Sequence, residues 1–81
     1  MPTVLISGPY RIYFVSHDLA EPAHVHVDRD DLSAKFWLAP VTLARNLGFT
    51  AVELRGIYRL VSQHEARLLE AWNEYFRRST G

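Results

Sequence analysis

The sequence predicts an α+β fold, in which a four-stranded antiparallel meander sheet is covered on one face by a short helix and a long C-terminal helix. Residues 3–38 alternate largely between apolar and polar side chains, which is typical of half-buried strands. After Pro40, apolar residues recur at spacings of three and four, which is typical of a helix that buries one face. With 81 residues and no repeats, the chain is predicted to be one domain, 1–81, with strands in 1–38 and helices in 40–78.

Four strands are predicted in the first half of the chain. They are Thr3–Ser7, Arg11–His17, His24–Asp28 and Ser33–Leu38. Gly8 and Pro9 predict a tight turn, and the polar residues 28–31 predict another. Pro22 lacks an N–H group and holds the preceding residue extended, so residues 18–23 are predicted to be a loop. Two hairpins in a meander are the simplest arrangement of these strands.

Two helices are predicted after the strands. Pro40 suits the first turn of a short helix over 40–46, because its missing N–H would have no partner there in any case. Thr50 followed by Glu53 is a capping-box signature for the start of the long helix. The apolar stripe of that helix continues to position 76. At about 1.5 Å per residue the helix is longer than the sheet, so it must bend or overhang.

The predicted core joins the inward positions of the strands to the apolar stripe of the long helix. Gly56 lies on this helix, and we expect its missing side chain to let the helix backbone lie close to the sheet. Trp72, Tyr75 and Phe76 near the helix end predict core or dimer contacts. The expected core residues are Val4, Ile6, Ile12, Phe14, Val25, Val27, Phe36, Leu38, Leu54, Ile57, Val61 and Leu68.

Charge and composition exclude several functional classes. Nine Lys and Arg residues balance nine Asp and Glu residues, which argues against a strongly electrostatic binder of nucleic acid or membrane. The absence of cysteine excludes a disulfide framework, a thiolate metal site and a cysteine nucleophile. No apolar run is long enough to span a membrane, so we expect an intracellular protein without membrane association.

One predicted strand concentrates the residues that can perform chemistry. His24, His26 and Asp28 alternate with Val25 and Val27. Because side chains alternate across a strand, we expect the valines in the core and both imidazoles on the outer surface. At a separation of roughly 6.5–7 Å the imidazoles can converge on one metal ion or one phosphate. Neighbouring strands are expected to add further side chains to this surface, namely Arg11, Tyr13, Lys35 and Trp37.

This surface has several possible interpretations. His24 and His26 are catalytic in the first, one as base on a ribose 2′-hydroxyl and one as acid on the leaving oxygen. Lys35 would then stabilise the phosphorane, and no metal or other cofactor is needed. In the second interpretation the pair binds a metal ion with Asp28 or His17. The third is non-catalytic docking of a partner protein. Strand histidines can also face solvent without any ligand.

Arg55 and Arg59 form a second candidate binding surface on the long helix. They lie four residues apart, so their side chains lie on the same helix face. Guanidinium groups favour bidentate contacts with carboxylate or phosphate, which suits an acidic partner or RNA. A row of charges is also typical of an ordinary solvated helix face.

Five segments spread over nearly the whole chain resemble a known bacterial family. They are Met-Pro-Thr-Val at the start, Tyr10–Phe14, Glu21–His26, Ala34-Lys35 and Leu68–Trp72. The family they resemble is domain of unknown function 4160. Its members are often encoded beside a second small protein, in arrangements described as toxin–antitoxin pairs. The resemblance implies a cytoplasmic prokaryotic protein with a small partner protein, and it assigns no catalytic residues.

The leading functional prediction is a toxin-like component of a prokaryotic toxin–antitoxin pair that acts on RNA. We predict a metal-independent ribonuclease whose catalytic residues are His24, His26 and Lys35. The alternatives are a non-catalytic protein-interaction module and a metal-binding protein that uses the histidine pair. The predicted partner is a small antitoxin-like protein, and the long helix leaves a homo-oligomer as the other possibility.

Overall fold

The computed structural model describes residues 3–14 and 21–80 of the chain. Their elements are β1 (Thr3–Ser7), β2 (Tyr10–Tyr13), β3 (His24–Arg29), β4 (Leu32–Trp37), β5 (Thr42–Leu47), α1 (Ala51–Gln63) and α2 (Glu65–Thr80). The strands form one antiparallel sheet in the order β1-β2-β3-β4-β5. The predicted α+β class and antiparallel meander are confirmed, but the described sheet has five strands rather than four. Residues 15–20, which include His17, lie outside the described residues.

The fifth strand replaces the short helix that was predicted over 40–46. Pro40 lies in the turn between β4 and β5, a position that suits proline as well as a helix start does. All six residues of β5 are exposed at the edge of the sheet, so its sequence lacks the alternation that identified the other strands. The helix prediction for this segment is therefore wrong. Lys35 pairs with Arg45 whereas Phe36 pairs with Leu43, so Ala44 forms a β-bulge without a partner on β4. This bulge also disturbs the alternation of side chains along β5.

The predicted long helix is divided into two helices at His64. The backbone of His64 has φ −111° and ψ 14°, which is not helical. Its ring Nδ1 donates to the carbonyl oxygen of Leu60 at 3.0 Å, which satisfies one carbonyl at the end of α1. The chain thus bends here, and a single continuous helix is the wrong description. No helix among residues 3–14 and 21–80 has the length and apolarity needed to cross a membrane.

The start of α1 is tied to the sheet by a charged network. Thr50 caps the helix as predicted, because its Oγ1 accepts from the N–H of Glu53 at 3.2 Å. The carboxylate of Glu53 accepts from the Tyr10 hydroxyl at 2.7 Å and from Arg29 Nη2 at 2.8 Å. Hydrogen bonds from Arg29 and Tyr10 hold the pKa of Glu53 below its ordinary value. The hydrogen bond between Tyr10 and Glu53 raises the pKa of Tyr10, because the carboxylate accepts from the protonated phenol.

The core lies between the helices and one face of the sheet, which we call the inner face. Nine of the twelve predicted core residues are buried, namely Ile12, Phe14, Val25, Val27, Phe36, Leu38, Ile57, Val61 and Leu68. Val4 and Leu54 are half-buried. Ile6 is 70 % exposed, so its prediction is wrong. Ile6 lies on the face of the sheet that points away from the helices, where it pairs with Arg11. An irregularity between Thr3 and Leu5 shifts the pairing register of β1 with β2 and causes this change of face.

Two predictions about the helices have different outcomes. Trp72 and Phe76 are buried, and their ring centroids lie 5.4 Å and 5.7 Å from that of Phe14. These aromatic residues therefore belong to the core. Gly56 is exposed, and a Cβ built on it would meet nothing within 4 Å. The expected close approach of Gly56 to the sheet is therefore wrong.

Candidate functional site

The sheet face opposite the helices carries a row of polar side chains from adjacent strands. We call it the outer face. Tyr13 of β2 pairs with His26 of β3, which pairs with Lys35 of β4, which pairs with Arg45 of β5. Directly opposite residues point to the same side of a sheet, so these four side chains form one row across four strands. We call His26, Lys35 and Arg45 the basic row.

The basic row lines a small pocket on the outer face. Its volume is about 170 Å³, and its lining is completed by Ser33, Ala34 and Leu47. The lining residues carry an imidazole, an ammonium and a guanidinium, and each of these groups can donate a hydrogen bond to an anion. No carboxylate lines this pocket among the described residues.

Sequence reasoning missed Arg45. The prediction placed this residue in a helix over 40–46, whereas it lies in β5 opposite Lys35. The sequence of β5 gives no period-two signal for a strand, because the bulge at Ala44 puts Leu43 on the inner face and Arg45 on the outer face.

His24 is buried, which contradicts the expectation that both imidazoles lie on an open surface. Its exposure is 0 %, and its Nδ1 donates to the carbonyl oxygen of Pro22 at 2.9 Å. Its ring centroid lies 5.6 Å from that of Trp37 and 5.0 Å from that of Trp72. Trp72 of α2 therefore covers the first residue of β3. The geometry gives His24 a structural position, in which it holds the loop before β3 against two tryptophans.

His26 is half-buried and lies among aromatic rings on the outer face. Its ring stacks on Tyr13, with centroids 5.2 Å apart and planes inclined by 25°. It also meets the ring of His24 at 5.1 Å and nearly at a right angle. His26 and His24 are thus in contact, as their spacing on one strand predicts, but they differ in exposure. His26 is the member of the pair that a ligand on the outer face can reach.

Lys35 and Trp37 continue the outer face along β4. The Nζ atom of Lys35 lies 4.6 Å from the ring centroid of Trp37, which is a cation–π distance. Lys35 also forms an ion pair with Glu21, whose carboxylate lies 3.7 Å from Nδ1 of His24. The Lys35 side chain is 20 % exposed, so the ammonium is held close to the surface rather than extended into solvent.

Arg11 and Tyr13 form the other end of the face, together with Asp28. The guanidinium carbon of Arg11 lies 4.5 Å from the ring centroid of Tyr13. Asp28 accepts from the Tyr13 hydroxyl at 3.0 Å and from the Ser33 hydroxyl at 2.7 Å. These hydrogen bonds orient Asp28 toward hydroxyl donors instead of toward a metal shared with the histidines. No group of three His, Cys, Asp or Glu side chains positioned for a metal ion occurs among the described residues.

Arg55 and Arg59 lie on a different surface from the basic row. They line a larger groove between β5 and α1, with a volume of about 470 Å³. We call it the β5–α1 groove, and its other lining residues are Phe36, Leu43, Leu54, Tyr58 and Ser62. Phe36 and Leu43 belong to the inner side of the sheet, so the groove opens away from the outer face. The predicted binding residues are therefore divided between two surfaces.

The comparison with protein families agrees with the resemblance drawn from the five sequence segments. A family model described as Domain of unknown function (DUF4160) matches residues 10–73. No curated protein and no solved structure matches the chain. The match includes β2 to β5, all of α1 and the first half of α2. Because the match covers well over half of the sequence, the protein belongs to the DUF4160 family.

Proposed function

We propose that the protein is a cytoplasmic, toxin-like component of a prokaryotic two-protein pair, and that its outer face binds single-stranded RNA. The observation that carries this proposal is the basic row, in which His26, Lys35 and Arg45 line one pocket. Three donors of different geometry around one concavity suit the oxygens of a phosphate. The zero net charge of the chain agrees with contacts to a few phosphates rather than a long electrostatic footprint.

The aromatic residues beside the basic row favour single-stranded over duplex RNA. Unpaired bases bind by stacking on exposed aromatic rings, and every base has a face that can stack. Tyr13 and Trp37 flank the row, and each is covered by a cation, Arg11 and Lys35 respectively. We expect a base to replace the cation on either ring, and the displaced guanidinium or ammonium then contacts the adjacent phosphate, which for Lys35 exchanges the carboxylate of Glu21 for the phosphate.

The chemistry that we propose for this face assigns a different role to each histidine. His26, the reachable imidazole, acts as the base that removes the proton from a ribose 2′-hydroxyl. The 2′-oxygen then attacks phosphorus, and the 5′-oxygen leaves with a proton from water, which yields a 2′,3′-cyclic phosphate. Lys35 and Arg45 stabilise the charge on the phosphorane. His24, which the sequence predicted as the second catalytic imidazole, instead positions the ring of His26.

Binding is tested by the fluorescence anisotropy of a labelled single-stranded RNA at several salt concentrations. Replacing both cations, Lys35→Gln with Arg45→Gln, is expected to weaken binding about tenfold or more. The slope of log affinity against log salt should fall by about 0.7 for each lost phosphate contact. Arg67→Gln is the control for the loss of one charge elsewhere, because Arg67 is exposed on α2 and lines neither pocket. If Arg67→Gln weakened RNA binding as much as the double variant does, the assignment of the RNA site to the basic row would be wrong.

Cleavage is tested with the same RNA and with DNA of identical sequence. The wild-type protein should bind both but cut only the RNA, because DNA lacks the 2′-hydroxyl. His26→Ala should abolish cutting, and also growth arrest on expression, while His64→Gln should leave both unchanged because His64 lies between the helices. Undiminished cutting by His26→Ala would refute the role of His26 as base.

A further inference from the structure

The outer edge of β5 is open to another strand. Among residues 3–14 and 21–80, β5 pairs with β4 and with no other strand. All six of its residues are exposed. An edge strand presents a row of backbone N–H and C=O groups that an extended segment of another chain can pair with.

Apolar side chains beside this edge provide a binding surface on the helix side. Leu43 is 41 % exposed and Tyr58 is 47 % exposed, and both line the β5–α1 groove. Leu54 and Phe36 continue the apolar lining toward the core. A strand added beside β5 would therefore bury alternate side chains in the groove.

The charges around β5 identify the occupant. Arg55 and Arg59 lie on the groove, Arg45 lies on the outer face of β5, and β5 itself contains no acidic residue. No carboxylate lines the groove among the described residues. A second copy of the chain paired through β5 would bring two sets of these arginines together, which is unfavourable. An acidic segment instead meets positive charge on both sides of the added strand.

We propose that β5 accepts an extended acidic segment of another protein as a sixth strand of the sheet. Its backbone pairs with the free edge of β5, and its apolar side chains enter the groove against Leu43 and Tyr58. Its carboxylates contact Arg55 and Arg59 on the groove side and Arg45 on the outer side. Arg45 is shared with the proposed RNA site, but the free edge of β5 and the groove with Arg55 and Arg59 are separate from it, so either proposal can fail without the other.

The test uses two labelled six-residue peptides, Val-Glu-Glu-Glu-Val-Glu and Val-Lys-Lys-Lys-Val-Lys, in which one face of the strand presents two valines and one charged residue to the groove and the other face presents only charged residues. The glutamate peptide should bind and the lysine peptide should not. Arg59→Glu should weaken the binding of the glutamate peptide about tenfold or more. Arg67→Glu makes the same charge change outside the groove and should leave that binding within about twofold. Circular dichroism verifies that both variants are folded. Absence of binding to the glutamate peptide, or equal losses in the two variants, would overturn the proposal.

Backbone pairing is tested separately by methylating the peptide amides. Alternate amides of an added strand point toward β5 and toward solvent, so methylating one set should abolish binding while methylating the other set should preserve it. Equal tolerance of both sets would show charge attraction without strand addition and would overturn the proposal. Sedimentation of the protein alone provides a second criterion. A dimer that dissociates on Arg59→Glu would make a second copy the occupant and would also overturn it.

Discussion

The substitution His24→Ala tests whether the His24 side chain stabilises the fold. The His24 ring is fully buried, donates to Pro22 and contacts two tryptophan rings. Loss of the hydrogen bond costs about 1 kcal/mol. Truncation of a buried ring between tryptophans adds about 2 kcal/mol, at the lower end of the range for large-to-small core substitutions. We therefore expect His24→Ala to lower the free energy of unfolding by about 3 kcal/mol.

A loss of this size is large for a small domain. Each kcal/mol shifts the Tm by about 4–8 °C in a chain of this length, so we expect a decrease of roughly 12–24 °C. His26→Ala is the matched comparison, because His26 is half-buried on the same strand. It should cost about 1 kcal/mol or less, since a partly exposed ring leaves no closed cavity when it is removed.

Urea unfolding followed by tryptophan fluorescence measures both variants. Trp72 lies against His24, so its emission reports directly on this part of the core. The transition midpoint of His24→Ala should fall while the slope m stays unchanged. His24→Phe, which keeps an aromatic ring, should recover most of the lost stability. If His24→Ala is as stable as the wild-type protein, the structural role assigned to His24 is wrong.

Three further predictions concern stability and are measured by the same unfolding transition. Gly56→Ala should raise stability by about 0.5–1 kcal/mol, because Gly56 is an exposed helix residue with open space at its Cβ position; a decrease would contradict this. Gly48→Ala should lower stability by more than about 1 kcal/mol, since φ is +105° and the new Cβ would lie 2.5 Å from Leu32 Cδ2; an unchanged midpoint would contradict this. The hydrogen bonds from Arg29 to Glu53 stabilise the folded protein fully when the pH is above 4.5, the ordinary pKa of Glu53. This stabilisation disappears as the pH falls through the lower pKa that Glu53 has in the folded protein. Glu53→Gln should therefore be less stable at neutral pH and lose less stability on acidification; parallel acid profiles would contradict this.

The strands that bury one face were predictable from the sequence, and the exposed edge was not. Val25 and Val27 alternate with polar residues because one side of β3 faces the helices, and both are buried as expected. β5 has no buried face, so its residues carry no periodic signal. Ile6 was misplaced for a related reason, since the irregularity in β1 shifts the register of a strand at the other edge of the sheet.

The sequence predicts on which face of the sheet the candidate site lies, but it does not predict all the residues that form the site. Alternation correctly places Tyr13, His26 and Lys35 on the same side of the sheet. It cannot predict that Trp72, forty-eight positions beyond His24 in the chain, covers the start of β3, because that contact depends on the direction of α2 after the bend. It also cannot place Arg45 beside Lys35 without β5. Tertiary packing therefore buried one predicted site residue and added another.

The most direct test of RNA binding at the outer face is a residue-resolved NMR titration of the protein with a single-stranded RNA oligonucleotide. The proposed site predicts the largest amide and side-chain shifts at Tyr13, His26, Lys35 and Arg45, with little change at Arg55. Shifts centred on the β5–α1 groove, or no shifts at RNA concentrations that saturate the anisotropy signal, would contradict the assignment of the basic row as the RNA site.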